Sequence, residues 1–236
     1  MLLIGGLALV GAGLLCVWFE IGRPWRALNV FFNPRTSWMT REGIVGTVLM
    51  PVGLAAAAGV PGLSWLAAGL ALAFIYCQAR ILKAAKGIPC WREPLIVPLV
   101  VLTGRAEGGG LWLLAQPMQA SRQPILIVLV GMLILARVLV WLAYRRRLHR
   151  RTTIQASTAL DLAGRWLQVA GTLIPLVILT LAAGVLTTGA VAGSSLALAG
   201  LLAVGTGAWL KFTVITRAGF NQGFGLTYLP VRGARQ

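Results

Sequence analysis

Long apolar runs constrain the fold of this chain more than any other feature of its sequence. A helix needs about 20 apolar residues to cross the hydrocarbon core of a bilayer, where backbone polar groups have no water to bind. The runs cover residues 2–19, 43–60, 63–82, 94–114, 124–144, 166–188 and 194–212. We therefore predict an all-α, polytopic transmembrane helix bundle with about seven spans.

The composition agrees with a membrane protein and leaves no room for a soluble domain. Of the 236 residues, 58% are hydrophobic and 11% are charged, and the mean hydropathy is +0.84. An ordinary soluble domain is about 25% charged. Because the runs and their connections use the whole length, residues 1–236 are predicted to form a single membrane-embedded helical domain.

Basic residues are concentrated in alternate connections between the runs. They are Arg23, Arg26, Arg35 and Arg41 after the first run; Arg80, Lys83, Lys86 and Arg92 after the third; Arg145, Arg146, Arg147, Arg150, Arg151 and Arg165 after the fifth; and Lys211, Arg217, Arg232 and Arg235 in the tail. The net charge of +16 thus follows topology rather than nucleic-acid binding. The positive-inside rule predicts that the basic loops and the C-terminus are cytoplasmic and that the N-terminus is outside. A basic face also suits docking of an acidic partner.

Ligands for a prosthetic group are scarce. The only histidine, His149, lies in an arginine-rich connection, so a haem b with two histidine ligands cannot be built. Cys16, Cys77 and Cys90 are isolated from one another, which disfavours an iron–sulfur cluster or other metal site. We expect no haem and no iron–sulfur cluster in this chain.

Two carboxylates are predicted at one membrane interface. Glu20 closes the first run and Glu42 opens the second, so the connection between them returns both to the same side. An interfacial carboxylate beside an apolar pocket suits proton exchange with a quinone or quinol. Alternatively, Glu42 stabilises a helix N-terminus and pairs with Arg41 or Arg80.

Three charged residues interrupt apolar runs. Arg105 and Glu107 lie in the fourth run, and burying either alone in hydrocarbon costs several kcal/mol. They are expected to pair with each other or with a neighbouring helix, or to face a hydrated cavity. Arg137, in the fifth run, either joins them or extends towards the basic face.

Aromatic residues near the interfacial carboxylates are candidates for a pocket wall. Trp25 and Trp38 share their connection with both carboxylates, whereas most other tryptophans near run ends anchor the interface. Tyr76 and Arg80 lie one helical turn apart, where they either hydrogen-bond a quinone carbonyl or anchor the interface. With Arg41, these residues form the predicted cofactor-binding set.

Two separated motifs carry a resemblance to a known family. Residues 20–30 read EIGRPWRALNV and residues 36–42 read TSWMTRE; near the C-terminus, residues 218–224 read AGFNQGF and residues 229–233 read LPVRG. The chain resembles the membrane-anchor subunits of the dimethyl sulfoxide reductase type, within the NrfD-like group. The first motif looks most like the branch of phenylacetyl-CoA:acceptor oxidoreductases.

The resemblance implies a function in electron transfer rather than substrate catalysis. Such an anchor binds menaquinone or ubiquinone in the bacterial inner membrane and exchanges electrons with a docked iron–sulfur, ferredoxin-like subunit. That subunit connects it to a molybdopterin catalytic subunit. On this interpretation Glu20 and Glu42 exchange protons, and Trp25, Trp38, Arg41, Tyr76 and Arg80 form the quinone site.

Two other classes remain open. A small-solute membrane transporter would use Arg105 and Glu107 as its polar site, although no internal repeat of the kind common in transporters is evident. An assembly or scaffold protein without a redox role would leave the interfacial carboxylates as helix caps only.

Overall fold

Long helices joined by short connections make up the structure. The computed structural model describes residues 2–20, 24–118, 123–148, 152–184 and 190–219, and no strand occurs within these ranges. The helices are α1 (Leu2–Glu20), α2 (Trp38–Ala57), α3 (Leu63–Ala84), α4 (Pro89–Arg92), α5 (Ile96–Leu114), α6 (Pro124–Leu148), α7 (Ile154–Gln168), α8 (Ile174–Gly184) and α9 (Ala190–Phe212). Short 3₁₀ segments cover Pro24–Phe32 and Gln116–Met118, and π turns cover Val169–Leu173 and Thr213–Arg217.

Some predicted features lie outside the described residues. They are residues 21–23 of the first motif, His149, Arg150, Arg151 and the tail from residue 220 onwards.

Five helical segments are long and apolar enough to cross a membrane. They are Leu2–Glu20, Leu63–Ala84, Pro124–Leu148, Ile154–Ala182 and Val191–Arg217. The prediction of an all-helical membrane protein is confirmed at this level. The count of about seven spans is not, because α2 and α5, with 20 and 19 residues, each contain one arginine and one glutamate that lower their hydropathy.

The hairpin of α2 and α3 owes its sharp turn to glycine. The Ser37 hydroxyl caps α2 by accepting from the Thr40 N–H at 3.3 Å. In the turn between α2 and α3, Gly59 and Gly62 adopt φ angles of 92° and 78°. Residues that have a Cβ atom rarely adopt such angles. Gly59 and Gly62 therefore permit the turn.

The helix that contains the sixth apolar run begins earlier than its hydropathy predicts. The Thr153 hydroxyl accepts from the Ala156 N–H at 3.3 Å, and α7 starts at Ile154 rather than near residue 166. Asp161 in this polar first half forms an ion pair with Arg145 of α6. Arg165, which the charge pattern assigned to a connection, consequently lies within α7.

Helix α4 is a short element held by two hydrogen bonds to neighbouring helical segments. The Tyr144 hydroxyl donates to the Cys90 carbonyl at 2.8 Å. The Trp91 indole N–H donates to the Val214 carbonyl at 2.8 Å, in the π turn that follows α9. Burial raises the pKa of the Cys90 thiol to about 11, so this cysteine is held as a neutral thiol at neutral pH.

Close approach of α5 and α9 sets the centre of the bundle. Helix α5 packs against α3, α6 and α9, and α9 also contacts α7 and α8. A Cβ atom added to Gly110 would lie 2.9 Å from the Gly200 carbonyl oxygen, so the backbones of α5 and α9 nearly touch. Small residues permit such contacts between helices in lipid, where no hydrophobic force drives helix association. The charged groups of α5 are thereby brought against those of α9.

Successive long helices run in alternate directions, because each connection is short and sequential neighbours contact one another. One end of the bundle therefore holds the start of α2, the end of α3, the end of α6 and the end of α9. This end, called the basic end below, carries Arg41, Arg80, Lys83 and Arg145 among others.

Candidate functional site

An apolar cavity of about 410 Å³ lies among five helices near the basic end. Four polar side chains, Glu42, Gln78, Thr103 and Lys211, interrupt its apolar wall. The apolar lining consists of Val17, Met39, Ile81, Leu82, Ile96, Leu99, Val100, Leu210, Val214 and Ile215. A largely apolar cavity with a few polar groups is the usual form of a small-molecule site.

Glu42 is a half-buried member of this wall. Its carboxylate accepts a hydrogen bond from the Gln78 side chain of α3. Among the described residues, no ion pair joins Glu42 to Arg41 or Arg80, so the predicted pairing with either arginine is wrong. Ser37 caps α2 and no acidic residue lies in its first turn, so Glu42 is not the helix cap either.

Lys211 forms a second polar point of the wall and reaches into the bundle. Its Nζ atom lies 2.5 Å from Oε2 of Glu107 on α5. Lys211 is in the last turn of α9, so its assignment to a charged tail from the sequence was wrong. The other carboxylate oxygen of Glu107 is buried and has no hydrogen-bond partner. Lys211 thus connects the cavity wall to a buried carboxylate that retains one free acceptor.

Arg137 of α6 is completely buried beside this pair. Its Nη1 and Nη2 atoms donate to the carbonyls of Ala203, at 2.9 Å, and Gly171, at 2.6 Å. The Gly171 carbonyl is available because the residue four positions later is Pro175, which has no N–H to donate in a helix. The sequence left two outcomes open for Arg137. In the structure it lies with the charged group around Glu107 and does not extend to the basic face.

The glycine at position 207 makes room for these charges. A Cβ atom there would lie 2.6 Å from Oε1 of Glu107 and 3.2 Å from Nη1 of Arg137. Arg105, by contrast, is exposed on the outer side of α5, next to residues such as Trp112. Glu107 therefore pairs with a neighbouring helix, and a pair between Arg105 and Glu107 does not form.

Four of the predicted cofactor-binding residues meet in one place, called the cation–aromatic cluster here. It consists of Trp38 and Arg41 from α2 and of Tyr76 and Arg80 from α3. The guanidinium carbons of Arg41 and Arg80 lie 4.1 Å and 4.3 Å from the centre of the Trp38 ring. Arg80 Nη1 donates to the Tyr76 hydroxyl at 2.9 Å. The Trp38 and Tyr76 rings meet edge to face, with centroids 5.8 Å apart.

This cluster lies outside the cavity, since none of its four residues lines the wall. Tyr76 and Arg80 share one face of α3, whereas Gln78, Ile81 and Leu82 line the cavity from another. From the sequence, Glu42 and the four residues of the cluster were predicted to share one pocket. A sequence indicates how far along a helix a residue lies more readily than the direction in which its side chain points.

The remaining two predicted site residues also lie away from the cavity wall. Trp25 is 87% exposed in the 3₁₀ segment Pro24–Phe32. Glu20 is exposed at the end of α1. Of the seven predicted site residues, only Glu42 lines the cavity. Gln78, Thr103 and Lys211 were missed; the single amide in the third run was the one signal that pointed to Gln78.

No protein-family model matches the chain, and no curated protein matches it. The resemblance carried by the two motifs therefore remains an expectation.

Proposed function

We propose that the chain is the membrane anchor and quinone-reactive subunit of a molybdopterin/iron–sulfur oxidoreductase complex. Menaquinone or ubiquinone occupies the cavity of about 410 Å³, and electrons pass between it and a docked iron–sulfur subunit. The observation that carries this proposal is a titratable carboxylate, Glu42, in the wall of an apolar cavity near the basic end. The motif resemblance, which also names such an anchor, supports it.

The cavity lining suits the chemistry of a quinone. Its apolar residues match the ring and the first part of an isoprenoid tail, while Gln78, Lys211 and Thr103 offer polar atoms to the two quinone oxygens. Reduction of a quinone to a quinol takes up two electrons and two protons. Glu42 supplies or accepts protons at the cavity, and the docked partner supplies or accepts the electrons.

The proposed topology places this chemistry next to the partner. With α2 and α5 counted as spans, seven helices cross the bilayer and the N-terminus lies outside. The basic end is then cytoplasmic by the positive-inside rule. Its arginines and lysines form the docking face for the ferredoxin-like subunit, because a soluble partner binds through such polar surface.

The small-solute transporter alternative has less support. Its proposed polar site combined Arg105 with Glu107, but Arg105 is exposed on the outside of α5. Glu107 is held by Lys211 instead, and Arg137 donates to backbone carbonyls. A transporter would also work without partner subunits, which the following experiment tests.

We expect the affinity-tagged chain, purified from its native membrane in mild detergent, to bring with it two further subunits, one with iron–sulfur clusters and one with molybdopterin. Solvent extraction should yield about one quinone per complex. Metal analysis, subunit identification by mass spectrometry and chromatography of the extracted quinone check this result. Isolation of the chain alone, without quinone, would overturn the proposal.

A pair of matched substitutions tests the location of the quinone. Val100→Phe inserts a ring into the cavity wall, so quinone content and quinone-linked turnover should fall while turnover with a water-soluble artificial acceptor is kept. Val128→Phe makes the same change on α6, where Val128 is 57% exposed, and should leave all three quantities unchanged. Equal quinone content in both variants would exclude this cavity as the site.

A further inference from the structure

We propose that the cation–aromatic cluster of Trp38, Arg41, Tyr76 and Arg80 binds the phosphate group of an anionic phospholipid at the basic end of the bundle. This site is separate from the cavity. The proposal does not depend on the quinone function, because it rests on the cluster and the membrane setting alone.

Two cations meet in the cluster without a counter-charge among the described residues. The guanidinium carbons of Arg41 and Arg80 lie 4.1 Å and 4.3 Å from the centre of the Trp38 ring. The distance between the two positive charges is therefore no greater than the sum of these two distances. Among the described residues, neither Arg41 nor Arg80 forms an ion pair. Like charges at this separation repel one another, and an anion bound beside both guanidinium groups reduces the repulsion.

The two arginines of the cluster also keep hydrogen-bond donors for a ligand. Arg41 uses Nε and Nη2 to donate to the carbonyls of Pro34, at 2.9 Å, and Arg35, at 2.8 Å. Arg80 uses Nη1 for the Tyr76 hydroxyl. Nη1 of Arg41 and Nη2 of Arg80 make no hydrogen bond to any described residue, so each arginine keeps a donor for a ligand. Planar guanidinium donors match phosphate oxygens in geometry and charge.

Positive charge is in local excess around the cluster. Residues 34–88 contain five basic side chains, Arg35, Arg41, Arg80, Lys83 and Lys86, all near the basic end, and one carboxylate, Glu42. Glu42 accepts from Gln78 and lines the cavity on a different face. The field around the cluster is thus positive, and anionic lipid is attracted to basic segments at a membrane surface.

An exposed apolar segment beside the cluster favours a lipid over free phosphate as the bound anion. In the 3₁₀ segment Pro24–Phe32, Trp25, Leu28 and Phe31 repeat every three residues and so share one face of a helix with three residues per turn. All three are exposed. An exposed apolar face of this kind lies in the interfacial layer of a bilayer.

Arg41 connects that interfacial segment to the cluster. Its two hydrogen bonds end on carbonyls that follow the 3₁₀ segment directly, so the guanidinium is held next to the segment's end. The cluster therefore lies near the level of the phosphate groups, with apolar surface beside it for the acyl chains. A phospholipid has both an anionic phosphate for the cluster and acyl chains for the apolar surface. Inorganic phosphate has only the anionic group.

The test is native mass spectrometry of the purified full-length protein, or of its complex, in detergent with added phosphatidylglycerol or phosphatidylcholine. The wild type should bind phosphatidylglycerol in preference to phosphatidylcholine. Arg41→Gln/Arg80→Gln removes both cations, and phosphatidylglycerol binding should weaken about tenfold or more. Lys83→Gln/Lys86→Gln removes the same charge from the same end, outside the cluster, and should change binding much less.

Three outcomes would overturn the proposal. They are unchanged binding in the arginine variant, equal weakening in the lysine variant, and displacement of the lipid by an equal concentration of inorganic phosphate. If the arginine variant does not fold, Arg41→Lys/Arg80→Lys keeps both charges but loses the planar donors. That variant should still bind phosphatidylglycerol less tightly than the wild type, and equal affinity would count against the proposed site.

Discussion

The Glu42→Gln variant is expected to lose quinone-linked turnover by about a hundredfold or more, while turnover with a water-soluble artificial acceptor is retained. Glutamine preserves the size of the side chain and its hydrogen bond with Gln78, but it cannot take up or release a proton. Proton exchange with the bound quinone therefore stops, whereas electron transfer among the partner subunits continues. The measurement is turnover with both acceptors in the same preparation.

Glu20→Gln provides the matched control for this result. Glu20 is an exposed carboxylate at the end of α1 and does not line the cavity, so its substitution should leave both activities unchanged. If Glu42→Gln retains both activities, the proton-exchange role is excluded. If it loses both equally, Glu42 is needed for assembly instead. A loss of quinone-linked turnover in Glu20→Gln would show that Glu20 takes part in the quinone site.

The second large effect is expected from Gly200→Ala, at the contact between α5 and α9. An added Cβ atom would overlap the Gly110 carbonyl oxygen and would lie 3.0 Å from both the Cβ atom of Leu113 and the backbone nitrogen of Leu114. These atoms belong to the backbone or adjoin it, so they cannot move aside as the end of a flexible side chain can. Overpacking of this kind lowers the free energy of unfolding by roughly 1–3 kcal/mol. We expect a loss near the upper value, because α5 and α9 must move apart to admit the added atom.

Gly205→Ala on the same helix is the control for that prediction. Nothing lies within 4 Å of a Cβ atom at Gly205, and alanine favours a helix over glycine by about 0.5–1 kcal/mol. This variant should be as stable as the wild type or slightly more stable. Thermal unfolding of the purified protein in detergent, followed by circular dichroism, compares the two. Equal melting temperatures for both variants would show that the α5–α9 contact is not tight.

The apolar runs predicted several helix boundaries closely. The third run was predicted to begin at Leu63, and α3 begins there. The fourth and seventh runs were predicted to end at Leu114 and Phe212, where α5 and α9 end. The agreement has a physical cause. The thickness of the bilayer sets both the length of a membrane-spanning helix and the length of the apolar run that forms it. Where polar residues extend a helix beyond the apolar layer, as at the start of α7, hydropathy gave the wrong boundary.

The candidate site was predicted only in part. The sequence indicated Glu42 because a carboxylate at the entry of an apolar run is rare, and it grouped Tyr76 with Arg80 because residues four apart share a helix face. It could not separate the cavity from the cation–aromatic cluster. That separation depends on how α2 and α3 rotate about their own axes when α2 packs against α1, α3 packs against α5, and the two helices pack against each other.

The sequence by itself determined the helical membrane class, the approximate ends of the helices and the concentration of basic residues in alternate connections, because each depends on local hydropathy and charge. Only the tertiary structure decided that Lys211 pairs with Glu107 and that Arg137 binds the carbonyls of Ala203 and Gly171. These contacts join residues 34 to 104 positions apart in the chain. They form because glycines let α5, α6 and α9 approach closely, and no periodicity along one helix specifies which residue of another helix it will meet.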